Sequence, residues 1–230
     1  MDSGIVLIGD PRVTGIDVQE CGETLVDLTP IPRLRIDGRK ADETRGWHHA
    51  RAGLADRLAA AAAALPDGVE LLIVEAFRSP VRQRGYWDGY RADLRAHYPG
   101  LTDPRLYHLA SRWVAPPDVA PHCTGGAVDL TLCDADGNEL DLGSPLDATP
   151  EQSSGACFTA AAVPREAGAN RAVLVAALAG AGLVNYPTEW WHWSYGERYW
   201  AFSTGAAHSR YGPVEAPSTA GAVRHAGWST

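Results

Sequence analysis

Two short segments carry the side chains best able to do chemistry. Residues 121–132 read PHCTGGAVDLTL and contain His122 and Asp129; residues 189–193 read EWWHW and contain Glu189 and His192. Together they offer two imidazoles and two carboxylates from distant parts of the chain. A catalytic zinc site takes three protein ligands from His and Asp or Glu and leaves one position for water. His122, Asp129 and His192 supply such a set, for one Zn²⁺ per chain. Glu189 is then left as an unligated carboxylate beside the metal, suited to take a proton from an activated water. Cys123, next to His122, is a further donor, but as a fourth ligand it would close the site to water. Each residue alone suits a structural role; the joint pattern points to chemistry.

These groups need elements that aim them at one point. In GGAVDLTL, Val128, Leu130 and Leu132 alternate with Ala127, Asp129 and Thr131. A strand would therefore set Asp129 on the face opposite the apolar row. Gly125 and Gly126 allow a sharp turn that brings His122 back beside Asp129. Glu189 and His192 are three residues apart, and Pro187 and Thr188 place Glu189 in a turn before a strand that carries His192.

The rest of the chain supplies a frame. VELLIVEAF (69–77) reads as a buried strand. Arg78 follows it, at the kind of strand end where sites gather, and Ser79-Pro80 caps the next helix, which carries Val81, Tyr86, Trp87, Tyr90 and Leu94. A helix over 47–65 sets Leu54, Leu58 and Leu65 on one face. Asn170 is placed to cap a helix running to about Leu178. An irregular arm covers about 1–46, residues 143–163 form a long loop, and the tail from about 203 reads as a surface segment. Helices and strands mix without a βαβ rhythm, which points to a single α+β domain over 1–230 with a small antiparallel sheet.

Composition narrows the classes. The 230 residues carry 20 Lys+Arg against 28 Asp+Glu, a net charge of −8. An acidic surface is a poor match for nucleic acid. The alanine-rich segment 50–65 is interrupted by Arg51, Asp56 and Arg57, so no stretch reads as a membrane span. The four cysteines, Cys21, Cys123, Cys133 and Cys157, form no CxxC pair and read as free thiols of a reducing compartment. The N-terminus has no signal-peptide pattern, and the expected location is the cytoplasm. Oligomeric state stays open.

The paired segments resemble the zinc D-alanyl-D-alanine dipeptidases of the vancomycin-resistance type, within the D-Ala-D-Ala peptidase group (peptidase family M15). EAFRSPVRQ resembles that family's strand-end arginine segment, LGSPLD the stretch after its zinc strand, and YGPV near the C-terminus also looks familial. The matches run in family order over about 47–215. The resemblance implies a hedgehog/D-Ala-D-Ala peptidase-like fold, with His122, Asp129 and His192 as zinc ligands and Glu189 as catalytic base. It implies Arg78 as the cation facing the developing oxyanion, with Glu75 to orient it. Asp147 of GSPLD, or else Asp141, would pair with the free ammonium of a dipeptide. Ala120-Pro121 and Cys123-Thr124-Gly125 depart from the family's usual flanks of the first zinc histidine, which bears on substrate choice. The implied activity is hydrolysis of D-Ala-D-Ala or a close dipeptide, in cell-wall metabolism or antibiotic resistance. The alternatives are a zinc carboxypeptidase or endopeptidase on larger muropeptides, and a non-catalytic zinc-binding relative.

Overall fold

The computed structural model describes residues 4–217. Within these described residues, seven strands and six α-helices occur in this order: α1 (Pro11–Thr14), β1 (Leu25–Asp27), β2 (Leu34–Ile36), β3 (His49–Arg51), α2 (Ala52–Ala63), β4 (Val69–Glu75), α3 (Pro80–His97), α4 (Asp103–Ala110), β5 (Ala127–Asp134), α5 (Arg165–Gly180), β6 (Val184–Asn185), β7 (His192–Ser194) and α6 (Arg198–Thr204). The fold is α+β, as its sequence pattern predicts. The main sheet has the order β2-β4-β5-β7-β6, and β1 pairs with β3 in a two-stranded ribbon. The sheet is antiparallel except at one edge, where β2 runs parallel to β4.

The alternation in β5 places its two faces as expected. Val128, Leu130 and Leu132 join Leu54, Leu58, Leu174 and Leu178 of α2 and α5 in the main core. Asp129 and Thr131 face the other way and are nevertheless buried: Thr131 beside residues 139–146, Asp129 under a pocket that Tyr86 of α3 and Trp113, Val114 and Ala115 help to line. Trp87, Tyr90, Leu94, Leu106, Leu109 and Val114 form a second cluster there. Ser79 caps α3 by accepting from Arg82 N at 3.3 Å, with Pro80 in the first turn.

Three local expectations are corrected. The helix expected over 47–65 begins only at Ala52, because residues 49–51 pair with β1 and Arg51 N donates to Gly125 O at 2.9 Å. Helix α5 starts at Arg165, five residues before Asn170; the Asn170 amide binds the Asp141 carbonyl at 2.9 Å and caps nothing. Helix α3 carries Val81, Tyr86, Trp87, Tyr90 and Leu94 as expected, with Val81 exposed and Gln83 buried. The tail is not a surface segment at its start. Ser209 and Tyr211 are buried, and Val214 N donates to Cys123 O at 2.9 Å. Buried Arg51 ties arm and tail together through Glu20 (2.9 Å), Thr124 O (2.8 Å) and Gly212 O (3.1 Å). Residues 218–230 of that tail lie outside the described residues. Cys21, Cys123, Cys133 and Cys157 are all unpaired. Among the described residues no helix is long and apolar enough to cross a membrane.

Candidate active site

A row of side chains crosses three neighbouring strands. Glu75 on β4 registers with Asp129 on β5, and Asp129 registers with His192 on β7. Directly opposed residues on antiparallel strands have Cβ atoms about 5 Å apart, close enough for their side chains to meet. A bulge between Ile73 and Glu75 shifts the register of β4 just where its end enters the site. His122 reaches the row from a 3₁₀ turn, Pro121–Thr124, that ends on Gly125 at φ +69°. Only glycine takes that backbone without strain. A Cβ on Gly125 would also collide with Leu25, and one on Gly126 would come within 2.8 Å of Tyr195 O. The expected Gly-Gly turn is thus both a conformational and a packing requirement.

The three donors converge. His122 Nε2 lies 3.1 Å from Asp129 Oδ2, His192 Nδ1 lies 3.0 Å from Asp129 Oδ1, and the two ring nitrogens are 3.2 Å apart. All three residues are buried. His122 Nδ1 donates to the Ala76 carbonyl at 2.7 Å, so in the neutral ring Nε2 presents a lone pair to the cluster. Burial holds the His192 pKa below the ordinary imidazole value, against the pull of Asp129, and keeps that ring neutral. Asp129 is held well below the carboxylate range: burial opposes this, but the adjacent His122 and His192 outweigh it. With both rings neutral, acceptor atoms face acceptor atoms in a buried place. Such a donor set fits a divalent cation. Cys123 does not join it; burial pushes its thiol up to about 11.

Glu189 stands in the turn before β7, with its Oε2 3.9 Å from His192 Nδ1. Burial, then the charges of Asp129 and Asp147, raise its pKa well above the usual value, with Arg78 opposing. A cation among the three donors would act in the opposite sense and favour the carboxylate. Arg78 is buried at the end of β4. Its Nη2 binds Glu75 at 2.5 Å and reaches Asp129 at 3.4 Å, its Nη1 binds Gln83 at 2.8 Å, and its Nε has no partner. Glu75 therefore orients Arg78, as expected. Asp147 also comes to the pocket, whereas Asp141 is engaged with Gly143 N on another surface.

The pocket over the cluster is a cavity of about 50 Å³ lined by Lys40, Arg78, Tyr86, Asp147, Glu189 and His192 among others. Sequence reasoning missed Lys40, Tyr86 and Gln83. Gln83 lies five residues after Arg78, in the first turn of a capped helix, which is a usable signal; GRKAD around Lys40 offers none. A second group, Asp27, His48 and His49, also brings donor atoms together. There Asp27 Oδ1 already accepts from Thr29 N at 2.8 Å, from the Thr29 hydroxyl and from His48 Nδ1 at 3.0 Å, so it braces a turn.

A carboxylate with a raised pKa facing a convergent His-Asp-His set and a buried cation is the equipment of a hydrolase. The comparisons agree and narrow it. The family model described as D-Ala-D-Ala dipeptidase, peptidase family M15, matches residues 42–207, and the chain belongs to that family. It is 27% identical over 239 residues to the D-alanyl-D-alanine dipeptidase of Synechocystis sp. (strain ATCC 27184 / PCC 6803 / Kazusa), covering 87% of this chain and 95% of the relative. It is 32% identical over 126 residues to the D-alanyl-D-alanine dipeptidase of Escherichia coli (strain K12), 55% of each chain. Among solved structures it is similar to the LdcB LD-carboxypeptidase, at 21% identity and a TM-score of 0.38 over 88% of this chain and 87% of that one, a likeness too distant to carry weight. The protein is a peptidase, and the expectation of a non-catalytic relative is set aside.

Proposed function

We propose that the protein is a zinc-dependent dipeptidase acting on D-Ala-D-Ala or a closely related dipeptide. The observation that carries this reading is the convergence of His122, Asp129 and His192 with Glu189 and Asp147 around one small cavity. His122 Nε2, Asp129 and His192 Nδ1 would hold Zn²⁺, which supplies Lewis acidity toward a water and the peptide carbonyl. Glu189 accepts a proton from that water at a carboxylate oxygen and returns it to the leaving amine nitrogen. Arg78 faces the carbonyl oxygen and stabilises its developing charge; Glu75 and Gln83 keep the guanidinium from turning away. Asp147 accepts from the substrate's ammonium. A cavity of about 50 Å³ is room for roughly three to five waters. A carboxylate placed for a free ammonium, Asp147, is what favours a dipeptide over a muropeptide chain.

Purified protein is assayed for D-alanine release from D-Ala-D-Ala, with and without a chelator, beside Glu189→Ala. Activity lost on chelation, restored by Zn²⁺ and absent in Glu189→Ala is expected. Activity that survives both changes would refute the mechanism. Faster release from a tripeptide or larger muropeptide than from the dipeptide would move the assignment to a carboxypeptidase.

A further inference from the structure

The group proposed to receive the substrate's amine already faces a cation. Lys40 Nζ is 2.6 Å from Asp147 Oδ2, and it sits 5.3 Å from the centroid of the Tyr86 ring. Arg78 lies over the same ring at 4.9 Å. Lys40 is far in sequence from every other pocket residue, in the connection after β2. Its place is fixed from α3: Arg82 Nη1 donates to the Lys40 carbonyl at 2.8 Å and reaches Asp42 at 3.0 Å. Asp147 itself adopts φ +66°, a backbone that few non-glycine residues adopt. Such strain persists where the surroundings enforce it, and it gathers at ligand sites.

Charge explains why a lysine belongs there. Asp147 shares its pocket with Asp129 and Glu189. A carboxylate taken out of water beside other carboxylates is costly unless it is paired. We propose that Lys40 is the resident occupant of the amine subsite, so that a dipeptide reaches Asp147 only by exchanging its own ammonium for that of the lysine. Lys40's role rests on the reading of Asp147 as the amine-binding group. The exchange leaves the charge count of the pocket unchanged, and the long lysine stem lets the released ammonium return to water. A peptide acylated at its N-terminus has no cation to exchange. Ejecting Lys40 for it would strand the Asp147 carboxylate, so N-blocked and longer peptides are rejected. Lys40 gives up some affinity for the correct substrate and gains discrimination against the wrong one.

Steady-state kinetics on D-Ala-D-Ala and N-acetyl-D-Ala-D-Ala, using the Zn²⁺-loaded protein, test the proposal. In Lys40→Met, KM for D-Ala-D-Ala should fall about three- to tenfold at unchanged kcat, about 0.6–1.4 kcal/mol. The preference for the free dipeptide over its N-acetyl form should shrink. Lys40→Arg keeps the ion pair and should keep the wild-type KM. In an Asp147→Asn background, Lys40→Met should change KM less than twofold. Calorimetric binding of D-Ala-D-Ala to Glu189→Ala protein, with and without Lys40→Met, should show the same tightening without turnover. A KM that rises, or a kcat that falls, on Lys40→Met would mean that the lysine holds substrate, and would overturn the proposal, as would no change. Wild-type protein inactive on both peptides refutes the dipeptidase reading and this inference with it. An active wild type with an unresponsive Lys40→Met refutes this inference alone.

Discussion

Removing Arg78 should damage stability and catalysis together, and the structure shows how to separate the two. Glu75 is 1% exposed, and its Oε2 is bonded to Arg78 Nη2. In Arg78→Met that carboxylate stays buried and loses its hydrogen-bonded partner, keeping only the longer ion pair with Arg82 Nε, 3.7 Å from Glu75 Oε1. Breaking a buried pair from one side costs about 3–5 kcal/mol, and the nearby Arg82 argues for the lower end. For a domain of this size about 3 kcal/mol corresponds to a fall in Tm of roughly 6–12 °C. Catalysis should fall about 10²- to 10³-fold in kcat, the cost of losing one oxyanion donor. In the double variant Glu75→Gln/Arg78→Met no charge is stranded, so most of the lost Tm should return while kcat stays low. Thermal melts and D-alanine release measure the two quantities on the same samples. A single variant within tenfold of wild-type kcat would refute the role of Arg78. A double variant no more stable than the single would refute the stranded-charge account.

Other consequences can be measured as directly. Glu189→Gln keeps the shape of the turn but cannot take a proton, and kcat should drop about 10²- to 10⁴-fold with a nearly unchanged Tm. Gly125→Ala forces a side chain into a left-handed backbone against Leu25. It should lose about 2 kcal/mol or more, roughly 4–8 °C of Tm, and should weaken Zn²⁺ retention, measured by metal analysis after dialysis, because His122 sits on that turn. Burial raises the Glu23 pKa, but the Tyr211 hydroxyl, Gly53 N–H and Arg210 outweigh this and hold it below the usual value. A lowered folded pKa gives stability that is present above the unfolded value and is lost as pH falls through the folded one. Glu23→Gln should therefore cost about 1–2 kcal/mol near pH 7 and lose less than wild type on acidification from pH 6 to 4, as followed by denaturant unfolding. Equal acid sensitivity in both proteins would refute this linkage.

The placement of the site residues was legible because its signals are local. The alternation of β5 and the Gly125-Gly126 pair together say that Asp129 points away from the apolar row and that His122 returns toward it. Ser79-Pro80 announces a helix directly after the strand, which fixes Arg78 at its end. Periodicity and backbone preference act over a few residues, so one sequence suffices to read them. Signals of this kind failed where a residue with a local preference found a partner far away. Asn170 could cap a helix, but it spends its amide on the Asp141 carbonyl. Residues 49–51 could extend a helix, but they pair with β1. The tail reads as polar and loose, yet Tyr211 packs where side chains on Gly53, Gly126 and Gly196 would stand.

The sequence by itself determined the residue types of the site, the strand that presents Asp129, the turn beneath His122 and the α+β character of the chain. Tertiary structure alone decided that Glu75, Asp129 and His192 stand in one row across three strands, that Asp147 and not Asp141 enters the pocket, and that Lys40 lies against it. Those facts depend on strand order, register and the anchoring of a loop on α3. Each is set by contacts between segments tens to more than a hundred residues apart, whose energies no local pattern encodes.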